Sequence, residues 1–174
     1  MLEKKMKSLI REVSDFPQKG ISFKDITPML MDQKLSKNIV KEFHLQFKSR
    51  KVDAVACLES RGFWYGMMLA NQFKVPFIPI RKAGKLPGTL VSCTYDLEYG
   101  TACVEMHADA IKKGWNVLIH DDVLATGGTA AAAAELICTV GGKVAGFAFL
   151  LNLSALKGEV KLKKYSENII SLVK

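Results

Sequence analysis

Several features that would point to familiar functions are missing from this 174-residue chain. No apolar run approaches the roughly 18–20 residues that a membrane-spanning helix needs, so no membrane partner is expected. The amino terminus, Met1-Leu-Glu-Lys-Lys-Met-Lys, has neither the apolar stretch nor the small-residue cleavage site of a secretory signal. Cys57, Cys93, Cys103 and Cys138 share no C-x-x-C spacing, and His44, His107 and His120 show no ligand spacing, which argues against a structural zinc. Four unpaired thiols suit a reducing cytoplasm better than a disulfide framework, and a cytoplasmic location is expected. Repeats, Ser/Pro-rich linkers and composition breaks are also absent, so one domain over residues 1–174 is expected.

The charge balance is one-sided. A formal net charge of +8 favours anionic partners, and nucleic acid is the reflex guess. Yet the lysines are scattered, as in the tail group Lys157, Lys161, Lys163 and Lys164, and no aromatic residues interleave with them as stacking platforms. No nucleic-acid partner is expected. A small polyphosphate ligand accounts for the basic residues that matter.

What the chain does contain is an alternation of strand-like and helix-like segments. Residues 2–13 and Ser36–Lys48 read as amphipathic helices, the second with Ile39, Val40, Phe43 and Phe47 on one face. Asp53–Leu58, Pro76–Ile80, Asn116–His120 and Val144–Leu151 are nearly continuous apolar runs, with helices over about 62–73 and Thr129–Val140 between them. A weaker last strand is expected near Ile169–Val173. Continuous apolar strands alternating with helices imply an α/β fold, a mostly parallel sheet covered on both faces. In such sheets the ligand lies beyond the carboxyl ends of the strands, here Glu59-Ser60-Arg61, Arg81-Lys82, Asp121-Asp122 and Asn152-Leu153. Residues 82–106 break the rhythm with Gly84, Pro87, Gly88 and Gly100, around two possible short strands, Leu90–Tyr95 and Ala102–His107. This reads as a flexible two-stranded flap over the site, since a lid fits chemistry that must exclude water; the plainer alternative is a static surface hairpin.

The most telling stretch is Asn116-Val-Leu-Ile-His-Asp-Asp-Val-Leu-Ala-Thr-Gly-Gly-Thr129. A buried strand delivers two carboxylates, and a hydroxyl-flanked Gly-Gly turn opens into an alanine helix. Glycine at positive φ brings backbone N–H groups close to an anion, and the helix start adds a favourable dipole. Asp121 and Asp122 would repel that anion, so their partners are hydroxyl groups or a cation nearby. A phosphorylated ribose satisfies both requirements. The pattern is neither the Walker loop nor the GxGxxG fingerprint.

This segment resembles the phosphoribosyl diphosphate (PRPP) motif of the type I phosphoribosyltransferases. Phe16-Pro-Gln-Lys-Gly-Ile-Ser-Phe-Lys-Asp-Ile26, Glu59-Ser-Arg-Gly-Phe63, Arg81-Lys-Ala-Gly-Lys-Leu-Pro-Gly88 and Tyr95-Asp-Leu-Glu-Tyr-Gly100 narrow the resemblance to the adenine phosphoribosyltransferases, over about residues 8–160. It implies purine salvage: transfer of the phosphoribosyl group from PRPP to adenine, giving AMP and pyrophosphate. Magnesium is expected to bridge pyrophosphate oxygens and ribose hydroxyls, because it favours phosphate and water over an all-protein cage. The family is typically dimeric, so a homodimer is expected.

The resemblance also assigns residues. Asp121 and Asp122 would handle the ribose hydroxyls and, through water, the metal; Ala125, Thr126, Gly127, Gly128 and Thr129 would hold the 5′-phosphate. Ser60, Arg61, Arg81, Lys82 and Lys85 would meet the pyrophosphate, with Arg61 also near the base. Glu98, shielded by Tyr99, would exchange a proton with the purine; the plainer reading is an exposed loop glutamate. In an N-terminal base-recognition segment over residues 1–33, Phe23 would stack on adenine and the Ile21–Ser22 backbone would read its edge, while Leu153 would close the far side. Two positions depart from the pattern: Ser22 replaces an aliphatic residue and Asn152 replaces Glu. Both lie at the base end, which leaves open another 6-substituted purine as substrate. A regulator that binds PRPP without turnover is the third reading.

Overall fold

The computed structural model describes residues 1–96 and 100–174. Its centre is a seven-stranded sheet in the order β5-β6-β4-β3-β7-β8-β9. The parallel strands are β3 (Ala54–Leu58), β4 (Phe77–Lys82), β7 (Asn116–Leu124), β8 (Lys143–Asn152) and β9 (Ile169–Val173). Apolar residues on both faces of these strands demand cover on both sides. On one face Val117, Ile119, Phe147 and Phe149 pack with α5 (Gly128–Thr139). On the other, Val55, Cys57, Leu118 and Leu150 meet α3 (Gln33–Phe47) and α4 (Gly62–Phe73). The α3 stripe is the expected one: Ile39, Val40, Phe43 and Phe47 are all buried. Its start is fixed by Asp32, whose side chain accepts from the Leu35 N–H at 2.8 Å.

Three expectations need correction. Residues 2–13 are not one helix: α1 covers Leu2–Leu9, and β1 (Arg11–Ser14) pairs antiparallel with β2 (Ser22–Asp25) in a separate hairpin. Its turn contains Asp15 at φ +57 and Gly20 at φ +88, with the Gly20 N–H donating to Asp15 Oδ1. The two acids do not lie past the end of their strand either. β7 continues through them to Leu124, and Asp121 stands opposite Phe149 on β8. Likewise Arg81 and Lys82 are the last residues of β4 rather than its sequel.

The excursion after residue 82 contains two antiparallel strands, β5 (Leu90–Asp96) and β6 (Thr101–His107). It is not wholly detached, because β6 pairs with β4 at Arg81–Glu105 and Lys82–Val104. The hairpin therefore extends the sheet and rises past its carboxyl edge. A short 3₁₀ turn (Ser154–Leu156) and α6 (Glu159–Leu162) connect β8 to β9. No helix among the described residues is long and apolar enough to cross a membrane.

Candidate active site

Parallel register brings the ends of β3, β4 and β7 side by side, since Leu58 pairs with Ile80 and Cys57 with His120. The next residues along each strand thus meet in space. Two adjoining hollows open there. One, about 280 Å³, lies under the hairpin among Glu59, Lys82, Tyr95, Asp121 and Thr129. The other, about 380 Å³, lies among Phe23, Ser60, Arg61, Asp121 and Asp122. Glu59, Lys82 and Asp121 border both, so they form one divided cleft. A larger groove of about 690 Å³ between α3 and α4 includes none of these residues.

The acidic side of the cleft is short of positive charge. Asp122 is 3% exposed, and its Oδ2 lies 2.9 Å from Arg61 Nε, an ion-pair contact without an aligned hydrogen bond. Asp121 Oδ1 accepts the Asp122 N–H at 2.9 Å. Burial raises both carboxyls, Asp121 well above the usual carboxylate range, with the charge of Asp122 adding to its rise. The Arg61 guanidinium acts in the opposite direction on both, and is outweighed. Arg61 is also shared: it lies 4.7 Å over the Phe23 ring and donates to the Lys24 carbonyl oxygen.

On the opposite side the charges are matched. Arg81 grips Glu59 through two nitrogens at 3.2 and 3.1 Å, and the Lys82 N–H donates to the same carboxylate at 2.9 Å. Its third nitrogen donates to the Lys85 carbonyl oxygen. Burial acts to raise Glu59, but Arg81 and the Lys82 amide together hold it below its ordinary value. Arg81 is therefore committed to Glu59, whereas the Lys82 side chain borders both hollows and has no carboxylate partner among the described residues.

The Ala125–Thr129 turn closes the cleft below the hairpin. Gly127 takes φ +76 and precedes α5, and its carbonyl accepts the Ala131 N–H. Thr129 Oγ1 donates to the Tyr95 hydroxyl at 3.2 Å, and a Cβ on Gly128 would stand 3.3 Å from the Tyr95 ring. The hairpin thus touches the turn at Tyr95. Glu98 and Tyr99 lie outside the described residues.

Residues 27–173 match the phosphoribosyl transferase domain. An adenine phosphoribosyltransferase of Cytophaga hutchinsonii is 50% identical over 173 residues, 99% of this chain and 96% of that one. The chain belongs to the adenine phosphoribosyltransferase family. The family's enzyme from Thermoanaerobacter pseudethanolicus superposes with a TM-score of 0.95 at 46% identity, covering 100% of this chain and 99% of that one. The Saccharomyces cerevisiae enzyme, complexed with adenine and an imino-altritol bisphosphate, gives a TM-score of 0.91 at 37% identity, covering 98% of each chain.

Ser22 and Asn152, both expected at the base end, have different surroundings. Ser22 is exposed, with Lys24 Nζ 3.4 Å from its hydroxyl, and Ile21 is 46% exposed. Phe23 is turned inward beneath Arg61, with Phe16 edge-on at 5.1 Å. Asn152 is buried at the end of β8, where its Nδ2 donates to Glu159 Oε1 at 2.7 Å, and Leu153 follows at the rim of the α3/α4 core. Two cleft residues escaped the reading from sequence. Glu59 and Tyr95 each sat inside a quoted motif, but their partners became visible only once the strands were paired.

Proposed function

We propose that this chain transfers the 5-phosphoribosyl group of PRPP to adenine, giving AMP and pyrophosphate with magnesium present. The carrying observation is the single cleft in which the two aspartates, a lysine with no carboxylate partner among the described residues and the Thr129 end of the glycine turn converge. A ribose carrying a 5′-phosphate and a pyrophosphate fits that division of charge. In this reading the Ala125–Thr129 amides hold the 5′-phosphate, and Asp121 and Asp122 accept from the ribose hydroxyls. Lys82, with Ser60, Arg61, Arg81 and Lys85, faces the pyrophosphate; Glu59 keeps Arg81 and the Lys82 backbone in place.

The reaction breaks the bond between the anomeric carbon and a pyrophosphate oxygen while a base nitrogen forms the new one. Positive charge develops on the sugar beside the Asp pair, and negative charge on the leaving group beside the cations. Phe23 stacks the base, the Ile21–Ser22 backbone reads its edge and Leu153 closes the pocket. Glu98 exchanges the purine proton, and the hairpin excludes water.

The donor chemistry suits magnesium. Asp121 and Asp122 offer hard oxygens in a place short of cations, and no group of three or more His, Cys, Asp or Glu side chains forms a cage among the described residues. The two acids would hold the metal through water, with substrate oxygens completing its shell. Once bound it would neutralise the charge of the departing pyrophosphate.

The base assignment is supported by the yeast relative, whose structure holds adenine, and by that of Giardia lamblia, complexed with 9-deazaadenine. A homodimer is supported by an exposed apolar face on α4, where Trp64 is 37% and Met67 55% exposed. Light scattering at micromolar concentration checks it; a monomer throughout would remove the dimer. The activity is checked by mixing protein, PRPP and magnesium with each purine base and following pyrophosphate. Release with adenine is expected. Release only with hypoxanthine would overturn the base, and release with no base would overturn the enzyme.

A further inference from the structure

The turn that opens α5 is backed by bare backbone. A Cβ added to Gly127 would collide with the Gly158 carbonyl oxygen and stand 3.1 Å from its carbon. The reverse collision is equally severe: a Cβ on Gly158 would run into the Ala125 carbonyl oxygen, 2.9 Å from Gly127 N and 3.0 Å from Leu124 Cδ1. Two chain segments therefore cross with no room for a side chain on either. Gly158 is buried there.

A second contact fixes the same segment from the next residue. Glu159 accepts the Asn152 amide at 2.7 Å, and Asn152 lies opposite Leu124, the last residue of β7. The Leu153 N–H donates to the Leu124 carbonyl at 2.8 Å, so this crossing is tied to the strand that carries the two acids. Beyond it, Leu162 is fully buried among the residues that cover α5. An amide at 152 can donate to Glu159, whereas two ionised carboxylates at that distance would repel.

We propose that Gly158, held by the Asn152–Glu159 hydrogen bond, is a positioning residue that sets where the Ala125–Thr129 amides stand, and with it the affinity for the sugar phosphate. The inference rests on the reading of that turn as the 5′-phosphate cradle. Gly158 is buried behind the turn, so its part in this reading is to position the amides. It acts because hydrogen bonds to a phosphate weaken steeply with distance and angle, and a side chain at 158 must push the turn.

The test uses the full chain and four forms: wild type, Gly158→Ala, Glu159→Ala and Glu159→Gln. Ribose 5-phosphate binding by calorimetry gives a readout independent of turnover, and steady-state kinetics give KM for PRPP and for adenine. Gly158→Ala is expected to weaken both ribose 5-phosphate and PRPP at least tenfold, with adenine KM at saturating PRPP and kcat within about threefold. Glu159→Ala should weaken the sugar phosphate about three- to tenfold, and Glu159→Gln, which keeps the accepting oxygen, should restore it to within twofold of wild type. Circular dichroism confirms folding, and if Gly158→Ala is unfolded the two Glu159 variants decide. Folded variants with unchanged sugar-phosphate binding, adenine and PRPP KM rising in parallel, or Glu159→Gln as weak as Glu159→Ala would each overturn the proposal. A wild type that binds ribose 5-phosphate but releases no pyrophosphate with adenine would instead sink the proposed reaction and leave the positioning role intact.

Discussion

Glu59, just past β3, and the Asp121–Asp122 pair, within the neighbouring β7, border the same cleft and are driven in opposite directions. Glu59 is half-sheltered yet remains an easy carboxylate, because Arg81 and the Lys82 amide supply three donors. Asp122 is buried and Asp121 half-buried with one arginine between them, and their ionised forms are disfavoured. A carboxylate with all its partners inside the protein is part of the scaffold. A pair with fewer donors than lone pairs fits the proposed role of meeting ribose hydroxyls or a metal cation.

The comparison breaks most visibly at Asp121. Its carboxyl is raised in the folded state, so the destabilisation it causes is absent below the unfolded value and complete above the folded one. Asp121→Asn removes that penalty at neutral pH while keeping an oxygen to accept the Asp122 N–H. We expect the thermal midpoint to rise while kcat/KM for PRPP falls about 10²- to 10³-fold, roughly 3–4 kcal/mol of transition-state stabilisation. Opposite signs are the point. A variant that is less stable and fully active would make the acid a scaffold group like Glu59.

His120, next to the pair on β7, takes a third course and stays neutral. It is fully buried, its Nδ1 bonds the Ala148 carbonyl at 2.8 Å, and burial pushes it down to about 4 against that hydrogen bond. A depressed histidine stabilises the fold fully above its unfolded value of 6.5, and loses that contribution as pH falls to about 4. The loss amounts to roughly 3 kcal/mol. Urea unfolding at pH 7 and pH 4.5 should show His120→Leu weaker at pH 7 by about 1 kcal/mol, for the lost hydrogen bond, but less sensitive to acid. An acid limb as steep as the wild type's would mean that His120 is not the group being charged.

Glu59→Gln tests the matched side. Gln cannot hold both Arg81 nitrogens as an ionised acceptor, so the fold should lose about 1–2 kcal/mol. KM for PRPP should rise three- to tenfold with a smaller change in kcat, because Lys82 loses its tether rather than its charge. Calorimetric unfolding and initial rates check both. A large kcat defect with normal stability would move Glu59 across to the functional group.

How much of this was legible in advance depended on whether the signal was local. The Asp pair and the Thr126-Gly127-Gly128-Thr129 turn are adjacent in sequence, and strand-to-helix chemistry is readable there. The first hairpin was misread because Leu2, Met6, Leu9 and Val13 continue a helical spacing, although Asp15, Pro17 and Gly20 marked a turn just beyond. The pairing of Glu59 with Arg81 depends on the register of β3 against β4, which nothing within either strand encodes. Gly158 carried no local sign at all, since its importance lies in a crossing with Gly127.

The smallest effect is expected at Ser22, where the chain departs from the family beside the proposed base pocket. Side chains alternate along β2, so Ser22 and Lys24 share one face while Phe23 takes the other. Phe23 is the residue turned under Arg61, which places the Ser22 hydroxyl on the solvent side. A backbone that reads the purine edge is indifferent to what projects from its far face. Ser22→Val should therefore change adenine KM less than about twofold and stability by under about 0.5 kcal/mol. A tenfold gain in adenine affinity would show that this face turns inward when the base binds.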